Sequence, residues 1–122
     1  MKQSLIKSED LEKAKTNEQF IIETAHQIIK DFGLFGIEIS FSGKSITAYE
    51  ELFRQLEEKL NILLINDYQK LLSLLYQIDL SEKILNAGNL PVVHDSEAAF
   101  ITDLIIQREL IKVLTRHYFK NL

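Results

Sequence analysis

The sequence predicts an all-α fold, a single-domain bundle of four to five helices across residues 1–122, with at most one short β element near residues 37–41. Large apolar side chains recur at intervals of three and four residues through most of the chain, as on one face of an α-helix. Glycine and proline are scarce, with 4 and 1 copies in 122 residues, which disfavours a turn-rich all-β fold. A chain of this length buries a core without disulfide bonds or metal.

The composition also narrows the function classes. The absence of cysteine excludes thiol catalysis, cysteine-ligated zinc and iron–sulfur clusters. A net charge of −4 disfavours a general binder of nucleic acid or anionic membrane. The first fifteen residues, MKQSLIKSEDLEKAK, lack the apolar core of a signal peptide, and apolar runs fall short of the roughly 20 residues of a membrane span. We expect a cytoplasmic protein with no membrane association, cofactor or metal.

The N-terminal third predicts one firm helix. Residues 1–15 are charged and weakly periodic, so they form either a mobile arm or an early helical turn. From Asn17 onward the apolar stripe is regular, and Gly33 marks its C-terminal end. The stripe consists of Phe20, Ile21, Ala25, Ile28, Ile29 and Phe32.

Residues 37–41 depart from the helical pattern. Ile37, Ile39 and Phe41 alternate with polar residues, which is the signature of a half-buried strand. These three residues are candidate interaction residues, because a strand needs a partner. Three partners are open: a hairpin return over 44–47, the segment 90–94, or the same segment of a second subunit. The alternative is an extended loop that covers the core.

Residues 47–78 hold the densest run of large apolar side chains and predict two consecutive helices. Thr47 with Glu50 fits a capping box at the start of the first helix. Asn66 with Gln69 repeats that pattern, so either a break or a kink separates the two helices. We interpret this region as scaffold.

The C-terminal part predicts a short helix and then a long one. The short helix begins at Ser81 and is closed by Gly88. Asp95 is suited to cap the final helix, residues 96–119. The apolar arc of this last helix is wide, which favours packing on two sides, either deep in the bundle or against another subunit.

Two segments carry a family resemblance. They are LLSLLYQIDLSEK at residues 71–83 and IIQRELIKVLTRHYF at residues 105–119. Together they resemble a family of short, uncharacterised (conserved hypothetical) bacterial proteins with an LLYxID segment and a RELxKVxxRxYF-like helix. The resemblance implies a bacterial helical protein and carries no activity with it.

Two short patterns suggest chemistry, and both are incomplete. Residues 43–45, Gly-Lys-Ser, sit where a phosphate-binding loop would, but Glu38 stands where that motif needs a glycine, and its carboxylate repels phosphate. Glu23 and His26 have the spacing of one half of a di-iron site, but no second pair exists. No nucleophile stands beside a base, so we predict no catalytic, cofactor-binding or metal-binding residues.

The most ordered polar pattern is a basic stripe on the last helix, formed by Arg108, Lys112, Arg116 and Lys120. Residues 103–122 carry four basic and two acidic side chains, against a chain that is acidic as a whole. The stripe could bind nucleic acid or an acidic partner, or pair with the acidic residues Glu50, Glu51, Glu57 and Glu58. The simplest interpretation is a solvated helix face whose cations complement the helix dipole.

These observations favour a non-enzymatic interaction or assembly module that self-associates as a homodimer or binds another protein. The candidate interaction residues are Ile37, Ile39, Phe41, Arg108, Lys112, Arg116 and Lys120. One alternative is a helical ligand-binding or regulatory domain with a pocket near Tyr49, Tyr68, Tyr76 and His26. The other, which the net charge disfavours, is nucleic-acid binding through the basic face of the last helix.

Overall fold

The computed structural model describes residues 7–43, 47–80 and 96–120, which form five α-helices and no β-strand. The helices are α1 (Ser8–Ala14), α2 (Glu18–Gly33), α3 (Ala48–Asn66), α4 (Tyr68–Gln77) and α5 (Glu97–Lys120). This confirms the all-α prediction. Residues 8–14 form a helix packed on α5, as the helical alternative for the N-terminal arm requires. The helix predicted to begin at Ser81, the Asp95 cap and most of the Gly-Lys-Ser turn lie outside the described residues.

Helix α5 is the centre of the bundle. It packs against α1, α2 and α3, and it buries residues from Ala98 in its first turn to Val113, about two turns before its end. The two-sided packing predicted from its wide apolar arc is therefore observed within one chain. The fully buried side chains that form most of the core are Phe32, Ile21, Ile28, Leu52, Leu56, Leu60, Leu71, Leu74, Leu75, Ile78, Ile101 and Ile105. Each contributes about 1.5–3 kcal/mol of hydrophobic stabilisation.

The helix starts agree with the predictions in part. Asn17 caps α2 by accepting a hydrogen bond from the Phe20 backbone N–H at 3.1 Å. The prediction of a Thr47 capping box was wrong, because α3 starts after Thr47 without a side-chain cap. At the next junction the cap is Asp67 rather than Asn66, and its carboxylate accepts from the Lys70 N–H at 3.1 Å. The chain therefore breaks between α3 and α4.

The start of α5 lies within the described residues and has its own cap. The Ser96 hydroxyl accepts a hydrogen bond from the Ala99 N–H at 3.1 Å. A serine oxygen in this position satisfies one of the free N–H groups in the first turn. The same hydroxyl donates to Glu57 of α3 at 3.5 Å, which places α3 beside the N-terminal half of α5.

Residues 37–43 are extended without being a strand. Ile39 is buried, and Ile37 and Phe41 pack on the core. The backbone hydrogen bonds go to side chains of α3 instead of a second strand: Ser40 N–H donates to Gln55, and Ser42 and Gly43 donate to Glu51. Of the two alternatives, the structure shows the extended loop that covers the core.

The chain turns sharply after α4 at Asp79, which adopts a positive φ of 71°. The Leu80 N–H donates to the Leu75 carbonyl at 2.8 Å and the Asp79 N–H to the Tyr76 carbonyl at 3.0 Å. This is the Schellman pattern, in which glycine is the usual residue with positive φ. Unlike glycine, Asp79 has a carboxylate at this position, and that carboxylate contacts Arg108 and Lys112.

Candidate functional site

The basic stripe of α5 divides into two halves with different surroundings. In the first half, Arg108 Nη2 lies 3.4 Å from Asp79 Oδ2, and Lys112 Nζ lies 4.0 Å from the same oxygen. Lys112 Nζ also lies 3.1 Å from Glu109 Oε1, inside the bundle. Arg108 and Lys112 therefore serve intramolecular ion pairs.

The second half of the stripe borders a surface groove between α2 and α5. Its lining includes the pair of Glu23 and His117, in which His117 Nε2 lies 3.0 Å from both carboxylate oxygens. Arg116, Lys120 and Gln19 complete the lining of this groove, whose volume is about 280 Å³. Within the described part of the chain, Arg116 and Lys120 make no ion pair.

The contacts of Glu23 determine its acidity. Partial burial raises the pKa of Glu23, but hydrogen bonds from His117 and Gln19 and the positive charges of His117 and Arg116 outweigh it. The net result is a lowered pKa. Sequence spacing paired Glu23 with His26, whereas His26 is exposed and His117 is the actual partner. The residues that the structure describes contain no cluster of three or more side chains suited to a metal ion.

The acidic residues of α3 do not meet the basic stripe. Glu51 accepts hydrogen bonds from Ser42 and Gly43, and Glu57 accepts one from Ser96. The backbone N–H of Ser42 is the largest cause of a lowered pKa at Glu51, and partial burial opposes it only in part. These carboxylates therefore fix local structure.

The proposed tyrosine pocket is not assembled. Tyr49 is half-buried beside Phe53, with Lys15 Nζ 5.5 Å from its ring centroid. Burial, with smaller effects from Asp103, Glu12 and Glu50, raises the pKa of Tyr49 to about 12. In contrast, Tyr68, Tyr76 and His26 are exposed, so the four side chains do not enclose a common cavity.

Sequence reasoning missed a surface on the last turns of α3 and on α4. We use the name α3–α4 surface for the ten exposed residues of 61–77: Asn61, Ile62, Ile65, Asn66, Asp67, Tyr68, Gln69, Ser73, Tyr76 and Gln77. Of these ten only Asp67 carries charge, and its carboxylate is engaged as the cap of α4. Lys70, which is partly buried, is the other charged residue of 61–77. Ile65 and Tyr76 are 74% and 83% exposed. Exposed isoleucine and tyrosine with almost no charge resemble the centre of a protein interface.

Sequence reasoning also missed a buried acid pair. Glu109 of α5 is fully buried and Asp31 of α2 is 5% exposed. The two carboxyl groups are close enough to interact by a hydrogen bond. The signal in the sequence was position, because Glu109 lies four residues from both Ile105 and Val113, on the apolar stripe.

The fold and these surfaces define a small helical bundle. Comparisons with family models, curated proteins and solved structures give no match to this chain. None of the helices in the described ranges combines the length and the apolar character that crossing a membrane requires.

Proposed function

We propose that the protein is a non-enzymatic assembly module and that the α3–α4 surface joins two copies of the chain into a homodimer. The observation that supports this most directly is the near absence of charge among ten exposed residues, four of which are large and apolar or aromatic: Ile62, Ile65, Tyr68 and Tyr76. Charged residues make up 26% of the whole chain, so their depletion here is local.

Burial of this surface is favourable in energy. Removing apolar surface from water contributes about 25 cal/mol per Å², and tyrosine and isoleucine offer large areas. A stable interface buries roughly 1,000 Å² or more in total. Ile65 and Tyr76 are the most exposed large apolar side chains of this surface, so their burial would contribute the most hydrophobic stabilisation.

Electrostatics favour a second copy as the occupant. Each chain carries a net charge of −4, so two copies repel each other over most orientations. Contact through a surface with one engaged carboxylate keeps that repulsion lowest. An acidic or basic partner would find little complementary charge there, whereas an identical surface matches it in a two-fold arrangement.

The test compares two substitutions at exposed apolar residues. Ile65→Glu places a charge within the α3–α4 surface, and Leu34→Glu places one at the end of α2, where the leucine is 64% exposed. Light scattering after size exclusion, at high micromolar concentration, should give a dimer for the wild type and for Leu34→Glu, and a monomer for Ile65→Glu. Circular dichroism checks that both variants remain folded. A monomeric wild type, or equal effects of the two variants, would contradict the proposal.

The residues of the predicted strand contribute to the core of their own chain. Ile37, Ile39 and Phe41 pack on their own core, which leaves little of them for a partner. Their contribution to an interface stays a prediction. The proposed location is the cytoplasm of a bacterium, supported by the lack of cysteine and by the family resemblance of the two segments.

A second candidate function is binding of single-stranded nucleic acid by the end of α5. Arg116 and Lys120 are exposed beside Tyr118 and Phe119, which are also exposed and meet edge to face. Unpaired cations with exposed rings are the groups that track a phosphate backbone and stack on bases. Retention on heparin that falls in the double variant Arg116→Glu/Lys120→Glu, and not in Arg108→Glu, would support this candidate. Equal retention of all three proteins would count against it.

A further inference from the structure

The buried acid pair joins two helices of opposite direction. Asp31 of α2 meets Glu109 of α5, and eight residues away on each helix Glu23 meets His117. Moving forward along α2 therefore means moving backward along α5, so the two helices are antiparallel. Eight residues correspond to about 12 Å of helix, and the two contacts hold α2 on α5 at separate levels.

The carboxyl oxygens of the pair lack enough protein donors. Gln27 Nε2 donates to Asp31 Oδ1 at 3.3 Å, and Lys112 Nζ approaches Glu109 Oε1 at 3.1 Å. Asp31 Oδ2 and Glu109 Oε2 are buried without a hydrogen-bond partner. Two ionised carboxylates in this environment would repel each other and stay unsatisfied. A single proton on Glu109 removes one of the two negative charges and supplies the missing donor, because a protonated Glu109 donates a hydrogen bond to Asp31.

The charges around the acid pair are balanced when Asp31 and Glu109 hold one proton between them. The charged groups near Glu109 are Asp31 from α2, Lys112 and Arg108 from α5, and Asp79 from the turn after α4, which pairs with both cations. Charged groups of α1 and α3 lie near the N-terminal half of α5 instead. Glu57 of α3 accepts a hydrogen bond from Ser96, and the charges of Glu12, Glu50 and Asp103 affect the pKa of Tyr49. With one shared proton the five groups Asp31, Glu109, Lys112, Asp79 and Arg108 sum to zero charge.

We propose that Asp31 and Glu109 share one proton and that this proton latches α2 onto α5, so that the contact loosens as the pH rises. Loss of the proton leaves a net negative charge in the core of the bundle. The latch is independent of the α3–α4 surface, and its failure would leave the dimer proposal intact.

The raised pKa of Glu109 determines in which direction, and over which pH range, the stability of the fold changes. Burial and, after it, the contact with Asp31 raise the pKa of Glu109 while Lys112 lowers it, and the net result is a rise from the ordinary 4.5 to about 8. An acid with a raised pKa stabilises the fold most below its unfolded value. That stabilisation declines as the pH rises and is lost once the pH passes the folded value. The window therefore runs from about 4.5 to about 8.

The test measures unfolding by urea between pH 5 and pH 9 for the wild type, Glu109→Gln and Glu58→Gln. The glutamine at 109 keeps a donor toward Asp31 and cannot ionise, whereas Glu58 is exposed and serves as the control. The unfolding equilibrium constant of the wild type should rise by up to about tenfold per pH unit relative to Glu109→Gln, up to about pH 8. Glu58→Gln should follow the wild type. Parallel pH profiles for wild type and Glu109→Gln would overturn the proposal.

A spectroscopic measurement keeps the proposal testable if Glu109→Gln fails to fold. Infrared spectra of the wild type should show the carbonyl band of a protonated carboxylic acid at pH 6, and the band should disappear on raising the pH above about 8. Hydrogen exchange of α2 amides should accelerate over the same range. A spectrum at pH 6 with ionised carboxylates only would refute the shared proton.

Discussion

Glu23 and His117 lie 94 positions apart in the sequence and form an ion-pairing contact in which one imidazole nitrogen is 3.0 Å from both carboxylate oxygens. The contact closes the start of α2 against the end of α5. Phe20, one turn before Glu23, packs edge-on against the same imidazole with ring centroids 5.0 Å apart. Polar and aromatic contacts thus fix the first half of α2 on the end of α5, while the Asp31–Glu109 pair joins the last turn of α2 to the middle of α5.

The first prediction concerns Glu23. Because its pKa is lowered in the folded state, its contribution to stability is present above the ordinary value of 4.5 and is lost as the pH falls through the folded value. Glu23→Gln should therefore lower stability at pH 6 by less than about 1 kcal/mol, since the pair is partly exposed and screened. Urea unfolding at pH 6 and pH 3 measures the effect, and the two proteins should converge at pH 3. A deficit that grows at pH 3 would contradict the assignment.

The second prediction concerns Glu51, whose carboxylate accepts from the Ser42 N–H at 2.8 Å, the Ser42 hydroxyl at 3.0 Å and the Gly43 N–H at 3.4 Å. Glu51→Ala should free these donors and cost about 1 kcal/mol, given the partial exposure of the site. Hydrogen exchange should quicken at Ser42 and Gly43. Glu50→Ala, at an exposed neighbour, is the control. Unchanged exchange in Glu51→Ala would show that another contact holds the segment.

The third prediction concerns the turn at Asp79. Asp79→Gly removes the ion pairs with Arg108 and Lys112 but relieves the positive φ, so its net effect should stay within about 1 kcal/mol. Asp79→Ala loses the ion pairs and keeps the strain, which should destabilise the protein by about 1–2 kcal/mol. Thermal unfolding of the two variants ranks them. Equal melting temperatures would contradict the strain argument.

The helices were predictable because their apolar residues follow the helical period so closely. Asn17 and Gly33 marked the limits of α2 correctly, and the leucines of the stripes in α3 and α4, from Leu52 to Leu75, include much of the core. Residues 37–41 have the alternation of a strand, but the sequence does not reveal that Glu51 and Gln55 satisfy their backbone instead. The spacing of apolar residues along the sequence predicts which side chains are buried, but it does not predict which other part of the chain they contact.

The candidate sites were harder to predict because they depend on distant residues. Glu23 has an acceptable local partner in His26, and only the antiparallel packing of α2 on α5 brings His117 to it. The basic stripe is regular in sequence, but Asp79 and Glu109 engage its first half. The scarcity of charge in residues 60–78, where only Asp67 and Lys70 are charged, was visible in the sequence. Its significance depends on knowing that Ile65 and Tyr76 are exposed.

The most direct test of self-association through the α3–α4 surface is a dilution series of amide NMR spectra of the wild-type protein. We expect shifts that depend on concentration and are largest in residues 61–77, above all around Ile65 and Tyr76. Spectra independent of concentration up to the high micromolar range would contradict this account. So would shifts centred on residues 37–41 or on residues 116–120.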